Sequence, residues 1–145
     1  MGFRFSMESV LRYREGIEQR EELTLQKMQF EIDQVQRLID ELTKGVAKAS
    51  DERGEALLGW IRANRLKDIQ DEINIALETR KSLFEFLVKL KSQHAAQMKV
   101  YQTARANRRM LTDLEKQQRE IWEKKQARAE QKRIDDIFTS RLQRG

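Results

Sequence analysis

Apolar residues spaced alternately by four and three positions constrain the fold of this chain more than any other feature of its sequence. They are Met28, Ile32, Val35, Ile39, Leu42, Val46 and Ala49. This spacing keeps every member on one stripe of an α-helix and is typical of a coiled-coil seam. A partner helix must cover the stripe, because an uncovered apolar stripe of this length would face water.

A second apolar stripe on the following stretch of the chain can provide that partner. Its members are Leu66, Ile69, Ile73, Ala76, Leu83, Leu87 and Leu90. A segment with Gly54 and Gly59 separates the two stripes, and glycine is unfavourable inside a helix. The sequence therefore predicts an all-α fold, an antiparallel two-helix coiled coil in which one chain forms a long helical hairpin.

Composition favours such a helical pair over a thick globular core. Only 39% of the 145 residues are hydrophobic and 37% are charged, and no proline interrupts a helix. We expect a single elongated coiled-coil domain over residues 1–145, with a helix over about 6–49 capped by Ser6, a turn over about 50–59 and a helix over about 60–141. The second helix is thus expected to be longer than the first.

The register of the hairpin decides how much of the second helix is left unpaired. If the turn lies near residue 55, position i faces roughly position 110 − i, and apolar residues meet apolar residues along the contact. A turn near residue 72 would set the first stripe against polar residues, so we prefer the first register. Residues 108–142 then extend beyond the amino terminus as an unpaired helix.

The last turns of that unpaired helix carry apolar residues on one face. They are Ile134, Ile137, Phe138 and Leu142. Exposed apolar residues on an otherwise charged helix indicate a partner surface. The alternative is that this face folds back onto Phe3, Phe5 and Met7, with the turn elsewhere.

The net charge of +5 is distributed unevenly along the chain. Residues 1–72 carry a net charge of −3 and residues 73–145 carry +8, with no carboxylate between Glu85 and Asp113. Such a basic helix can be solvated, or it can face nucleic acid, an acidic protein or the acidic half of its own hairpin. Carboxylates alternate with basic residues elsewhere, so we expect no nucleic-acid partner.

The sequence offers no catalytic residue, cofactor site or metal site. His94 is the only histidine and cysteine is absent, so neither a catalytic triad nor a metal site built on thiolates or paired histidines can be assembled. A glycine-rich phosphate loop is also missing. We expect a protein that is not an enzyme. No apolar run approaches the roughly 20 residues that span a bilayer, which predicts a soluble cytoplasmic chain.

The two tryptophans are candidate interface residues, because aromatic side chains anchor many protein interfaces. Trp60 lies beside the turn, where it either closes the open end of the hairpin or projects toward a partner. Trp122 lies on the unpaired helix, where little of the chain is expected to cover it. We therefore expect Trp122 to contact another protein.

Both ends of the chain carry short motifs. Residues 3–15 read FRFSMESVLRYRE, with two phenylalanines around a basic residue followed by Val-Leu-x-x-Arg, and residues 130–137 read EQKRIDDI. Together they resemble the opening motif and the Glu-Gln-Lys-x-x-Asp-Glu motif of the flagellar type III export protein family FliJ. Asp136 replaces the common glutamate and keeps its charge. Length, charge and helical organisation are similar to this family over the whole chain.

The resemblance implies a flagellar export component similar to the central stalk of rotary ATPases. In this family the stalk binds the hexameric export ATPase FliI, promotes its ring assembly and activity, and contacts the export gate protein FlhA. Some members also engage export chaperones. The resemblance further implies a cytoplasmic location, peripheral to the inner membrane at the flagellar base, with membrane association only through partners. The free protein is expected to be monomeric.

The family resemblance leads to two partner-binding hypotheses. The apolar face of Ile134, Ile137, Phe138 and Leu142, with Phe3 and Phe5, is expected to sit in the ATPase ring. Trp60, Ile69 and Ile73 at the opposite end are expected to reach the export gate. The alternatives are a generic coiled-coil adaptor or homodimer, and the equivalent stalk of an injectisome.

Overall fold

A computed structural model describes residues 2–60 and 62–144, except that the side chain of Trp60 lies outside this description. Helix α1 spans Glu8–Glu55, a π-helical turn spans Ala56–Trp60, and helix α2 spans Ala63–Arg144. With 82 residues α2 is longer than α1, which has 48. No strand occurs among the described residues. The prediction of an all-α hairpin with a longer second helix is confirmed.

Helix α1 continues beyond its predicted end, through the Gly54 position, to Glu55. Contacts with α2 stabilise these last turns: the Arg53 guanidinium donates to the Gln70 side-chain oxygen at 2.8 Å. Tertiary contacts of this kind override the weak helix propensity of a single glycine. The helical path breaks instead at Gly59, whose φ of 95° lies in the left-handed region that glycine adopts without strain.

The chain divides into two compact units, each built from parts of both helices. The central unit is Glu22–Val100, and the terminal unit combines Met1–Glu21 with Tyr101–Gly145. The expectation of a single domain over residues 1–145 stays a prediction.

The core of the central unit lies between the two predicted stripes. Ile32, Val35 and Ile39 of α1 pack with Leu87 and Leu90 of α2, and Leu83 lies against this cluster. Every residue of both stripes is buried or half-buried. Burying these side chains removes apolar surface from water, which is the main term that holds two amphipathic helices together.

The predicted register of the hairpin is wrong. In the central unit Thr43 accepts a hydrogen bond from Arg80 at 3.3 Å, whereas the predicted register would set it opposite residue 67. The cause is the position of the turn, which comes later than predicted because α1 continues to Glu55. When a hairpin turn moves by one residue along the chain, the position that faces a given residue shifts by two. A small error in the turn therefore becomes a larger error in register.

In the terminal unit, too, residues of α1 face positions of α2 that lie farther along the chain than predicted. Leu11 of α1 and Ala104 of α2 are buried here, and Phe5 lies buried just before α1. The Phe3 ring reaches Trp122, 6.1 Å away between centroids. The unpaired part of α2 therefore begins after Trp122 and not near residue 108, as the sequence had led us to expect.

Candidate partner-binding surfaces

The amino-terminal segment packs onto α2 through an aromatic contact in the terminal unit. The rings of Phe3 and Trp122 are tilted by 56°, and the Arg119 guanidinium carbon lies 5.0 Å from the centre of the Phe3 ring. We call Phe3, Arg119 and Trp122 the aromatic clasp. An aromatic pair and a cation–π contact each add stability beyond buried area.

The clasp changes the interpretation of three predicted interface residues. Trp122 is half-buried, because Phe3 covers it within the chain. Phe5 is only 7% exposed and belongs to the core of the terminal unit. A direct contact of Phe3, Phe5 or Trp122 with another protein stays a prediction. Such a contact would have to open these intrachain contacts or use the part of Phe3 and Trp122 that remains accessible.

A forked ion pair joins α1 to α2 in the terminal unit. Arg108 donates through Nε to one oxygen of Glu18 at 2.6 Å and through Nη2 to the other at 3.2 Å. The hydrogen bond from Arg108 lowers the pKa of Glu18; burial opposes this shift, and the charges of Arg105 and Arg109 add to it. Glu18 is the first residue of the polar stretch Glu18–Glu22. Arg108 belongs to the stretch between Glu85 and Asp113, which has no carboxylate. The basic helix thus faces, at this point, the acidic half of its own hairpin.

Beyond Trp122, every described residue of α2 is exposed. We call residues 123–144 the overhang. The four predicted apolar residues lie on it with large exposed fractions, and they are Ile134 at 50%, Ile137 at 47%, Phe138 at 63% and Leu142 at 66%. The alternative that this face folds back onto Phe3 and Phe5 is wrong, because Phe3 covers Trp122 and the apolar face remains open.

The predicted gate-facing residues occupy two different environments. Ile69 is fully buried and Ile73 is 5% exposed, so both serve the seam of the central unit. The side chain of Trp60 lies outside the described residues. Earlier in the same turn, Leu57 and Leu58 are 68% and 76% exposed. Neither leucine fits the periodicity of the two stripes, and this mismatch was the sequence signal that could have identified them.

Two of the open grooves on the surface of the central unit are lined partly by exposed apolar side chains. One, of about 550 Å³, is lined by Arg53, Leu57, Ala63, Leu66, Lys67, Gln70 and Asp71. The other, of about 480 Å³, runs along α1 and is lined by Leu23, Gln26, Lys27, Phe30, Glu31 and Gln34. Phe30 and Leu23 lie outside the seam, more than half exposed, and the sequence analysis did not single them out.

The described part of the chain contains no cluster of three or more histidine, cysteine or acidic side chains that could hold a metal ion. His94, the only histidine, is half-buried in the central unit. Among the described helices, none is both long and apolar enough to cross a membrane.

Two long helices, paired antiparallel, define a coiled-coil hairpin. The family model described as "Flagellar FliJ protein" matches residues 3–145. The chain belongs to the flagellar FliJ family, as its terminal motifs indicated, and this membership supports a role related to flagellar export. Comparisons with curated proteins and with solved structures each gave no match.

Proposed function

We propose that this chain is a non-enzymatic stalk of the flagellar export apparatus. It binds the hexameric export ATPase FliI, promotes ring assembly and hydrolysis, and links the ring to the export gate protein FlhA. It acts in the cytoplasm at the flagellar base. The observation that carries the proposal is the overhang, where a helix continues past its last intrachain partner and exposes four large apolar side chains.

An overhang of this kind is stabilised by a partner. A single helix is marginal in water, because most helical stability in proteins comes from packing of an apolar face. Burying each large apolar side chain contributes about 1.5–3 kcal/mol. The pore of a hexameric ring can enclose one helix from all sides, so it suits a segment whose whole circumference is exposed.

The first test measures ATP hydrolysis and ring assembly of the export ATPase against added chain. We expect stimulation that saturates near one chain per hexamer. The double variant Ile137→Asp/Phe138→Asp should abolish stimulation, because two carboxylates would have to enter an apolar contact. Full stimulation by this variant would refute the proposed role of the overhang.

A matched control places two carboxylates on the other side of the same helix. At 100° per residue, the exposed Thr139 and Gln143 lie roughly opposite the midpoint of Ile137 and Phe138. The variant Thr139→Asp/Gln143→Asp should retain at least half of the stimulation. Circular dichroism of both variants should give equal helicity, so that loss of function cannot be attributed to loss of the helix.

The end of the hairpin near the turn is our candidate for the gate contact. Trp60 and the exposed Leu57 and Leu58 are the residues to replace, because Ile69 and Ile73 are buried in the seam and their loss would destabilise it. We expect Trp60→Ala and Leu57→Asp/Leu58→Asp to weaken binding to FlhA while ATPase stimulation is retained. Normal binding by both variants would exclude this end. Export chaperones are further proposed partners, tested by the same binding assay.

A homodimeric adaptor is the second candidate. It is favoured by apolar residues on outer faces of the central unit, such as Phe84 and Val88, which are 48% and 68% exposed. The mass in solution separates the two candidates, since a stalk of this family is expected to be monomeric when free. A stable dimer that fails to stimulate the ATPase would favour the adaptor. Stimulation of an injectisome ATPase in preference to the flagellar one would indicate the related stalk.

A further inference from the structure

The overhang carries a second surface, distinct from its apolar face. Four basic residues occupy an arc of roughly 100° on this helix, at 3.6 residues per turn. They are Lys124, Lys125, Arg128 and Lys132, and we call them the basic stripe. All four are exposed. The apolar residues Ile134, Ile137 and Phe138 lie on another side of the helix, centred about 140° away. Leu142, the fourth residue of the apolar face, lies in line with Lys124 but five turns farther along the helix, beyond the end of the stripe.

The charges of the basic stripe are not neutralised within the described chain. The salt bridges nearest to it are Arg119–Glu115 at 3.7 Å and Arg133–Glu130 at 3.3 Å, and neither involves a residue of the stripe. Glu120 has the spacing for a pair with Lys124, but no salt bridge joins them. Asp135, the next acidic residue along this side, accepts a hydrogen bond from Gln131 at 3.0 Å.

We propose that the basic stripe docks against a row of carboxylates on the protein surface that encloses the overhang. This inference rests on the proposed function, and it specifies the chemistry of the ring pore. The pore should be acidic along one side for about 12 Å, which is the rise of eight helical residues. It should be apolar at the deeper end. Enclosing four like charges without counter-charges would carry a large desolvation cost. A pore that accepts this helix must therefore supply them.

The distribution of acidic residues favours an acidic protein over an anionic membrane or nucleic acid. Glu130 lies between the angular positions of Ile134 and Ile137, so a carboxylate interrupts the apolar face. A helix that lies on an anionic bilayer needs a continuous apolar face. Glu123 and Glu130 would also repel phosphates on that side. A protein ring can match acidic, basic and apolar sides separately.

The test compares glutamine variants in the ATPase assay at low and high salt. The stripe variant is K124Q/K125Q/R128Q/K132Q, and the control variant, which removes the same charge from exposed sites of the central unit, is K67Q/K81Q/K89Q/K91Q. Glutamine and lysine have similar helix propensity, so helicity should be preserved. We expect the stripe variant to need about 10-fold or more protein for half-maximal stimulation at low salt, and to lose most of its salt dependence. The control variant should behave like the wild type.

The possible failures are distinguishable. If the wild-type chain does not bind or stimulate the ATPase at any salt, the proposed function fails and the inference fails with it. If the wild type stimulates and the stripe variant is indistinguishable from it, the inference alone is overturned. It is also overturned if the stripe variant loses only binding to phosphatidylserine vesicles or to single-stranded DNA while its ATPase titration is unchanged. Equal maximal stimulation at saturation, with a shifted midpoint, supports docking by charge.

Discussion

The ion pair between Glu18 and Arg108 should stabilise the hairpin more than any exposed pair in the chain. Their side chains are only 14% and 24% exposed, and both guanidinium contacts are within hydrogen-bonding distance. Measured exposed pairs contribute about 0.2–1 kcal/mol, and breaking a fully buried pair costs about 3–5 kcal/mol. For this intermediate case we expect a coupling free energy of about 1–2 kcal/mol.

A double-mutant cycle measures this coupling. The variants are Glu18→Ala, Arg108→Ala and the double variant, each unfolded by urea and followed by helical circular dichroism. The cycle cancels the differences in helix propensity between the residues, because each replacement occurs with and without its partner. Each kcal/mol lost should lower the melting temperature by roughly 3–5 °C for a chain of this size.

The matched control is the pair Glu52–Arg65 in the central unit. Its atoms approach to 2.8 Å, but its side chains are 37% and 46% exposed. Water screens this pair more strongly, so its coupling should be clearly smaller and should shrink further in high salt. Equal coupling in the two cycles, or none for Glu18–Arg108, would refute the argument that partial burial strengthens the terminal pair.

The pH dependence provides an independent check. Arg108 lowers the pKa of Glu18 below its ordinary value of 4.5, so the pair's contribution is fully present above pH 4.5. It is lost as the pH falls through the lowered pKa, where the folded carboxylate takes up its proton. The stability difference between wild type and Glu18→Ala should therefore be constant from pH 7 to about pH 5 and should shrink in more acidic solution. A difference that grows toward low pH would have the wrong sign.

Three further substitutions test other parts of the structure. Phe3→Ala, in a Trp60→Phe background so that only Trp122 emits, should shift the fluorescence to longer wavelength and cost about 0.5–1.5 kcal/mol; an unchanged spectrum would argue against the aromatic clasp. Gly59→Ala should cost about 1–2 kcal/mol in thermal unfolding, because alanine is strained at a φ of 95°; no cost would mean that this residue is not left-handed in solution. Ile69→Ala should cost about 2–5 kcal/mol in urea unfolding, since its side chain is fully buried; a cost below 1 kcal/mol would contradict that burial.

The hairpin itself was predictable because both stripes obey one simple geometric rule. Residues such as Val35 and Leu87 are separated by about a third of the chain, yet each reveals the buried side of its helix through its neighbours at three and four positions. Burial of a stripe is a local property of one helix, so a single sequence is sufficient to predict it. The unpaired apolar face at Ile137 and Phe138 was predictable for the same reason.

The register was not predictable from the same information. Heptad stripes can slide past each other by seven residues and still bury apolar side chains, so periodicity alone leaves several registers with similar energy. The turn chemistry was also ambiguous, since Gly54 and Gly59 are both plausible breaks and only Gly59 has a positive φ. The contacts that distinguish the registers, Glu18 with Arg108 and Phe3 with Trp122, are long-range and carry no periodic signal.

The error in register had a direct effect on the candidate site. With the predicted register, Trp122 would lie on a bare helix and would need another protein to cover it. With the observed register Phe3 covers it, and the overhang becomes shorter. The basic stripe begins at Lys124, two residues after Trp122. It is exposed because the aromatic clasp extends along α2 only as far as Trp122.

The contacts of the terminal unit therefore determine how much of α2 is available to a partner. A slip of one heptad would move the last paired residue by about 10 Å along α2, either covering part of the basic stripe or uncovering Trp122. Apolar packing alone resists such a slip weakly here, because the stretch Glu18–Glu22 lacks apolar side chains. The Glu18–Arg108 pair lies in this polar stretch and has good geometry in one register only, as buried polar groups do in other coiled coils. The proposed stalk, which would present a fixed length of helix to a ring, needs such a contact where its seam is least apolar.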